Sequence, residues 1–241
     1  MPKTLLLRLA APMQSWGVAS KYTTRDTAME PSKSGVIGLL AAALGRGRDE
    51  SIEDLAGLKF GVRADQPGEL MRDFHTAEGR TKQGVKMNYV TERYYIADAV
   101  FVVALEGEDE LIKTLSEAIE SPYHALSLGR RSCPPTGRML LDVLDMGCVE
   151  ALKTYKWQAS EFYREKVLRN YERTKVIPKI KLVYDADRVT KRVQTDVPIS
   201  FSWKHRQHTK RFIAEEYISL SEICGEIAVE HDPFEGLGGD E

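Results

Sequence analysis

The chain has 241 residues, of which 42% are hydrophobic and 29% charged, long enough to bury a sizeable core and too apolar for general disorder. The formal net charge is −2, and no apolar run reaches the length of a membrane span or a secretory leader, so a soluble cytoplasmic protein with no membrane association is expected. Cys133, Cys148 and Cys224 stand alone with no C-x-x-C spacing, which argues against a disulfide framework or a zinc site; no metal and no cofactor is expected.

Within that near-neutral total the charges are segregated. Residues 1–163 carry 20 Lys and Arg against 22 Asp and Glu, residues 164–211 carry 14 against 5, and residues 212–241 carry none against 9. A local excess of cations can hold a polyanion whatever the sum, unless the acidic tail lies over it.

Lys3–Ala11 is short, apolar and stopped by Pro12, the pattern of an internal strand. It runs into Gln14, Ser15 and Trp16, an amide, a hydroxyl and an indole at a strand end. These groups suit a ligand, by hydrogen bonding and stacking, but Trp16 also suits a core aromatic with its N–H satisfied. A polar loop carrying Lys21, Tyr22 and Arg25 follows. Residues 31–45 read as a buried helix, with Ser32 or Ser34 as N-cap and Gly45 just past the end. Its opening, Ser32-Lys33-Ser34-Gly35, offers amides and a cation to an anion, though not in the Gly-Lys-Ser/Thr order of a P-loop.

A second strand is expected over Leu58–Ala64. Asp73-Phe74-His75-Thr76 then leads into a polar insert where Arg80, Lys82, Lys86 and Arg93 meet a single acid, Glu92. With no helical periodicity, this stretch is a projecting hairpin or a mobile loop able to follow a nucleic-acid backbone. Ala97–Leu105 is the clearest strand of the chain. Glu108–Glu120 is an amphipathic helix stopped by Ser121-Pro122, and Arg138–Val143 a further strand. The order is βαββαβ, which makes residues 1–147 an α+β domain of the ferredoxin-like or RRM type. Residues 148–241 are expected to form a small β-rich basic appendage. It would hold a short helix near 149–155, strands at 175–184 and 195–203, and the acidic tail.

The stretch around which the rest is organised is Gly129-Arg130-Arg131-Ser132-Cys133-Pro134-Pro135-Thr136-Gly137. Pro-Pro forbids helix, so two adjacent guanidiniums are held on a loop between glycines. Their planar forks suit phosphate, although an ordinary turn pairing with nearby acids has the same letters.

Four blocks carry a family resemblance. They are Leu-Leu-Leu-Arg-Leu-Ala-Ala-Pro-Met-Gln-Ser-Trp-Gly (5–17), Pro-Ser-Lys-Ser-Gly-Val-Ile-Gly-Leu-Leu (31–40), Asp-Phe-His-Thr (73–76) and Leu-Gly-Arg-Arg-Ser-Cys-Pro (128–134). A weaker block is Arg93-Tyr94-Tyr95 with Asp98-Ala99-Val100-Phe101. In these the sequence resembles the CasD-type (Cas-five) family of type I-E CRISPR Cascade complexes, within the RAMP superfamily. Residues 150–241 hold no block that matches.

That resemblance implies a ferredoxin-like fold with a β-hairpin thumb at about 77–96. It implies a non-catalytic subunit capping the 5′ handle of the CRISPR RNA. The partners implied are the Cascade backbone subunit, the large subunit and, within the complex, target double-stranded DNA. The RNA-binding positions would be Gln14, Trp16, Arg25, Lys33, Ser34, His75, Arg80, Lys82, Lys86, Arg93, Arg130, Arg131 and Ser132. The alternative is a metal-free endoribonuclease, as in a branch of the family that cleaves the repeat. Tyr22, His75 and Lys82 would then supply acid, base and cation. They lie on separate segments, and no Lys-His neighbour pair stands within the matching blocks.

Overall fold

The computed structural model describes residues 2–17, 23–80, 84, 86–190 and 192–224. Two strands set its core. β1 (Lys3–Ala10) and β7 (Val100–Gly107) pair antiparallel from Lys3–Gly107 to Ala10–Val100. Both are nearly continuous apolar runs, the pattern of strands covered on two faces. Successive side chains point to opposite sides. Leu5, Leu7, Leu9, Phe101, Val103 and Leu105 enter one hydrophobic cluster, while Leu6, Val102 and Ala104 enter another.

The first cluster is closed by α1 (Lys33–Ala43), α2 (Glu53–Ala56) and α3 (Asp109–Glu120). The second is closed by α4 (Cys148–Thr154) and Trp157, with Tyr163 and Val167 of α5 (Glu161–Thr174) packed against it. Flanking the central pair are β4 (Lys59–Gln66) and β8 (Leu140–Leu144). Beyond β4 come β9 (Lys179–Asp185), β11 (Gln207–Ser219) and β10 (Val193–Ser200). The resulting sheet, ordered β10-β11-β9-β4-β7-β1-β8, is antiparallel at every pairing. The α+β class expected from the sequence holds.

The C-terminal half departs from expectation. Residues after 147 do not stand apart as an appendage: β9 pairs with β4 and continues the main sheet. Nor is this region β-rich alone, since α5 supplies four turns and α6 (Leu220–Cys224) ends the described chain. The rest of the acidic tail lies outside the described residues.

Two buried ionic networks bind the halves together. Arg63 and Asp65, both fully buried, form a two-point pair on β4. Arg63 also donates to the carbonyls of Leu152, Tyr155 and Lys156, fixing the chain after α4 to the sheet. On the other face Arg211 of β11 donates to Asp196 at 2.7 and 3.0 Å and to Asp185 at 2.6 Å. Asp185 also accepts from Lys33 Nζ at 3.0 Å, and Asp196 from the Lys33 amide at 2.8 Å. Burial works against the Arg211 charge, but its hydrogen bonds to Asp196 and Asp185 and the attraction of their negative charges outweigh it and raise its pKa.

A second, smaller sheet leaves the body. β5 (Glu69–Arg80) and β6 (Lys86–Ala97) pair over their whole length, from Glu69–Ala97 to Arg80–Lys86. At the root of β6, β2 (Met13–Gln14) and β3 (Thr24–Arg25) add to its second edge. At about 3.4 Å per residue, twelve residues make a ribbon roughly 40 Å long. Tyr95 and Ile96 at the root are buried, whereas Lys86–Val90 are exposed. Of the two readings of the insert, the projecting hairpin is correct, and it begins at Glu69.

Candidate nucleic-acid interface

The arginine loop is held by backbone contacts. Leu128 N–H donates to the Cys133 carbonyl at 2.7 Å and Cys133 N–H to the Arg130 carbonyl at 2.9 Å, closing a tight turn. Ser15 N–H donates to the Leu128 carbonyl at 3.1 Å, so the turn is docked on the segment after β2. Gly129 makes this possible: φ is +89°, and a Cβ there would lie 1.7 Å from the Ser15 carbonyl oxygen. Cys133 is buried beneath the turn, and burial raises its thiol pKa.

Arg130 reaches from this turn to the hairpin root. Its guanidinium lies 4.5 Å above the Tyr95 ring and donates to the Arg25 carbonyl at 2.8 Å. Arg25 is in register with Arg93 across the β3–β6 pairing. Three arginines from segments 37 to 105 residues apart thus meet at one corner. Two nitrogens there, Arg93 Nε and Arg130 Nη1, are buried without a hydrogen-bond acceptor. An orphaned buried donor on a cation is costly, and an anion entering the corner would relieve it.

One cleft opens from this corner and a second adjoins it, sharing Gly129 and Arg206. The first, of about 620 Å³, is bordered by Arg25, Arg130, Arg206 and Ser34; Asp26 is its one carboxylate among the described residues. The second, of about 880 Å³, is bordered by Arg48, Arg131, Arg206, His124 and again Ser34. Arg46 also borders the larger cleft, but Asp54 holds it in a two-point pair at 2.6 and 2.5 Å. Together the clefts form a cationic trough over the first turn of α1, between the arginine loop and the turn at 201–206.

Several residues expected to touch a ligand are instead structural. Gln14 is fully buried: its amide donates to the Leu9 and Ala99 carbonyls, and its oxygen accepts from the Trp16 indole at 3.1 Å. Trp16, also fully buried, packs on the first turn of α1, where a Cβ on Gly35 would lie 2.8 Å from its ring. Lys33 is 5% exposed and held by Asp185. Two of the helix-start amides are engaged as well. The Lys33 amide donates to Asp196 and the Gly35 amide to the Ser32 hydroxyl at 3.2 Å. All three side chains fail as contacts for one reason: each satisfies a partner inside the fold.

The remaining candidates divide by place. Arg25, Ser34, Arg93, Arg130 and Arg131 gather at the corner and trough. Ser132 is exposed, with its hydroxyl 3.8 Å from the Cys133 sulfur. His75 sits out on the hairpin, its Nε2 2.6 Å from Asp73 Oδ2. Arg80 and Lys86 face each other at the far end, and Lys86 lies 3.8 Å from Glu78. Lys82 and Tyr22 lie outside the described residues.

The sequence reading overlooked Arg48. The run Gly45-Arg46-Gly47-Arg48 after a helix end was the available signal, a glycine-rich turn with two cations. The basic segment 164–211 does not act as one patch. Arg164 donates to the Ala159 and Trp157 carbonyls, Lys181 pairs with Glu30, Arg192 with Glu215, and Arg211 is buried; Arg206 alone of these borders the trough.

Residues 4–213 match the family described as CRISPR-associated protein (Cas_Cas5), and the chain belongs to this family of CRISPR-associated proteins. Among curated proteins it is 35% identical over 184 residues to the CRISPR system Cascade subunit CasD of Escherichia coli (strain K12), covering 68% of this chain and 82% of that one. Among solved structures it resembles a chain of a CRISPR RNA-guided surveillance complex, at 34% identity and a TM-score of 0.73, with 90% of each chain covered. A crystal structure of a Cas protein is similar at 34% identity and a TM-score of 0.70, covering 91% of this chain and 97% of that one.

Proposed function

We propose that this chain is a non-catalytic, RNA-holding subunit of a CRISPR RNA-guided surveillance complex in the cytoplasm, and that it caps the 5′ handle of the CRISPR RNA. Its core is read as ferredoxin-like: β1, α1, β4, β7, α3 and β8 follow the βαββαβ order, with the four strands ordered β4-β7-β1-β8. The hairpin is read as the thumb. The backbone subunit, the large subunit and target double-stranded DNA would be its neighbours in the particle. Similarity to a Cascade subunit and to a chain of a surveillance complex supports the assembly.

One observation carries the RNA reading: Arg25, Arg93 and Arg130 converge at the hairpin root with two buried guanidinium nitrogens lacking an acceptor. A phosphate supplies such an acceptor, and the trough beside it is lined by cations that no described carboxylate pairs: Arg48, Arg131 and Arg206. Replacing Arg130 and Arg131 together with Ala should weaken capture of a handle-length RNA by about a hundredfold and flatten the salt slope by about two. Unchanged affinity and slope, measured by anisotropy across a salt series, would refute the site. The His75–Asp73 contact favours a second reading, because a carboxylate orients a catalytic imidazole in the same way. A discrete cut in repeat RNA made in EDTA by the wild type and lost in His75→Ala would replace the non-catalytic reading with that one.

A further inference from the structure

Trp203 is 80% exposed, whereas the chain's other tryptophans, Trp16 and Trp157, are 0% and 8% exposed. It stands on the turn between β10 and β11. Phe201 of the same turn packs on α1, where a Cβ on Gly38 would lie 3.6 Å from its ring, so the turn is moored to the body. The Arg48 guanidinium lies 4.2 Å from the centre of the Trp203 indole and covers one face. Arg48 and Phe201 also border the larger cleft, alongside Arg131 and Arg206. An indole left in water contributes nothing to the core, while a flat aromatic face beside guanidiniums matches the alternation of base and phosphate in a single strand.

We propose that Trp203, backed by Arg48, is a stacking seat for one unpaired nucleobase of a single-stranded RNA whose phosphates follow Arg131 and Arg206. This seat rests on the RNA-holding reading of the trough. The base takes the open face of the indole, and Arg48 polarises the covered face. Because every base has a π-face, the seat selects for being unpaired rather than for sequence.

The test uses the full chain and a short single-stranded RNA. With the other two indoles buried, RNA should quench a solvent-exposed emission component that Trp203→Leu removes. By anisotropy, Trp203→Ala should weaken binding about tenfold with the salt slope unchanged, since no phosphate contact is lost, and Trp203→Phe should retain most of the affinity. One abasic position scanned along the RNA should reproduce the Trp203→Ala loss, and the two losses should not add. RNA binding that is sensitive to Arg130→Ala but indifferent to Trp203→Ala would overturn the seat and leave the trough reading intact. No RNA binding by the wild type would overturn the trough reading and the seat with it. Weakened association with other subunits at unchanged RNA affinity would make Trp203 a protein contact and refute the proposal. A Trp203→Ala chain that keeps its melting temperature shows that any loss is not misfolding.

Discussion

At Gly129 a single hydrogen separates a docked arginine loop from a displaced one. A methyl group would have to occupy space 1.7 Å from the Ser15 carbonyl oxygen, at a φ that L side chains rarely adopt. Gly129→Ala should cost roughly 2–4 kcal/mol in urea unfolding, the sum of left-handed strain and forced backbone movement. It should also weaken RNA capture, because Arg130 would lose its position over Tyr95. Wild-type stability in the variant would mean that the turn adjusts freely and does not position the arginines. Gln14 and Trp16 illustrate the opposite case. Their residue types and their place at a strand end suggested ligand contact, but a local pattern cannot show that Ala99, 85 residues away, already accepts from the amide. Lys33 was hidden in the same way, since its partners lie 152 and 163 residues along the chain.

The hairpin is the element whose stability and function separate most cleanly. A long two-stranded ribbon is marginal in water unless its root is anchored. Here β2 and β3 anchor it, with Tyr95 and Ile96 in the core. Among the described residues its outer half buries no side chain completely, and Tyr89 there does no more than cover Gly79. Replacing residues 78–88 by a two-residue Asn-Gly turn should therefore leave the melting temperature within a few degrees of wild type while abolishing complex assembly. A large fall in melting temperature would show that the outer ribbon is part of the core. The ribbon's start at Glu69 was missed because its half-buried face mixes Met71 with Asp73 and His75 while its exposed face carries Leu70 and Phe74, so no alternation of apolar and polar residues marks its edge. α5 was missed for a related reason. It buries no residue completely, although Ser160 caps its start by accepting from the Tyr163 amide at 3.3 Å.

Across the whole molecule, the buried ion network decides whether the C-terminal strands belong to the core. Arg211, Lys33, Asp185 and Asp196 join α1, β9, β10 and β11, and the Phe60 amide donates to Asp185 at 3.0 Å. Removing one charge leaves the others buried and uncompensated. Arg211→Ala should therefore cost about 3–5 kcal/mol, measured by urea unfolding. The loss should persist at high salt, since buried pairs are little screened. A change below about 1 kcal/mol would mean that hydrophobic contacts alone hold the strands. The same network holds the first turn of α1 against β10, so it fixes the floor of the trough as well as the sheet.

The amino-acid sequence determined the α+β class, the strand–helix order of the first 147 residues, the rigid arginine loop and the basic insert. Each of these depends on patterns within about fifteen residues: apolar periodicity, caps, prolines and glycines. The tertiary structure alone decided which polar side chains remain available to a ligand and which are engaged inside. It also decided that Arg48 and Trp203 join the trough, and that the last strands extend one sheet. Those outcomes depend on partners 85 to 163 residues apart, and a buried donor and a ligand-facing donor have the same chemistry until the acceptor opposite is known.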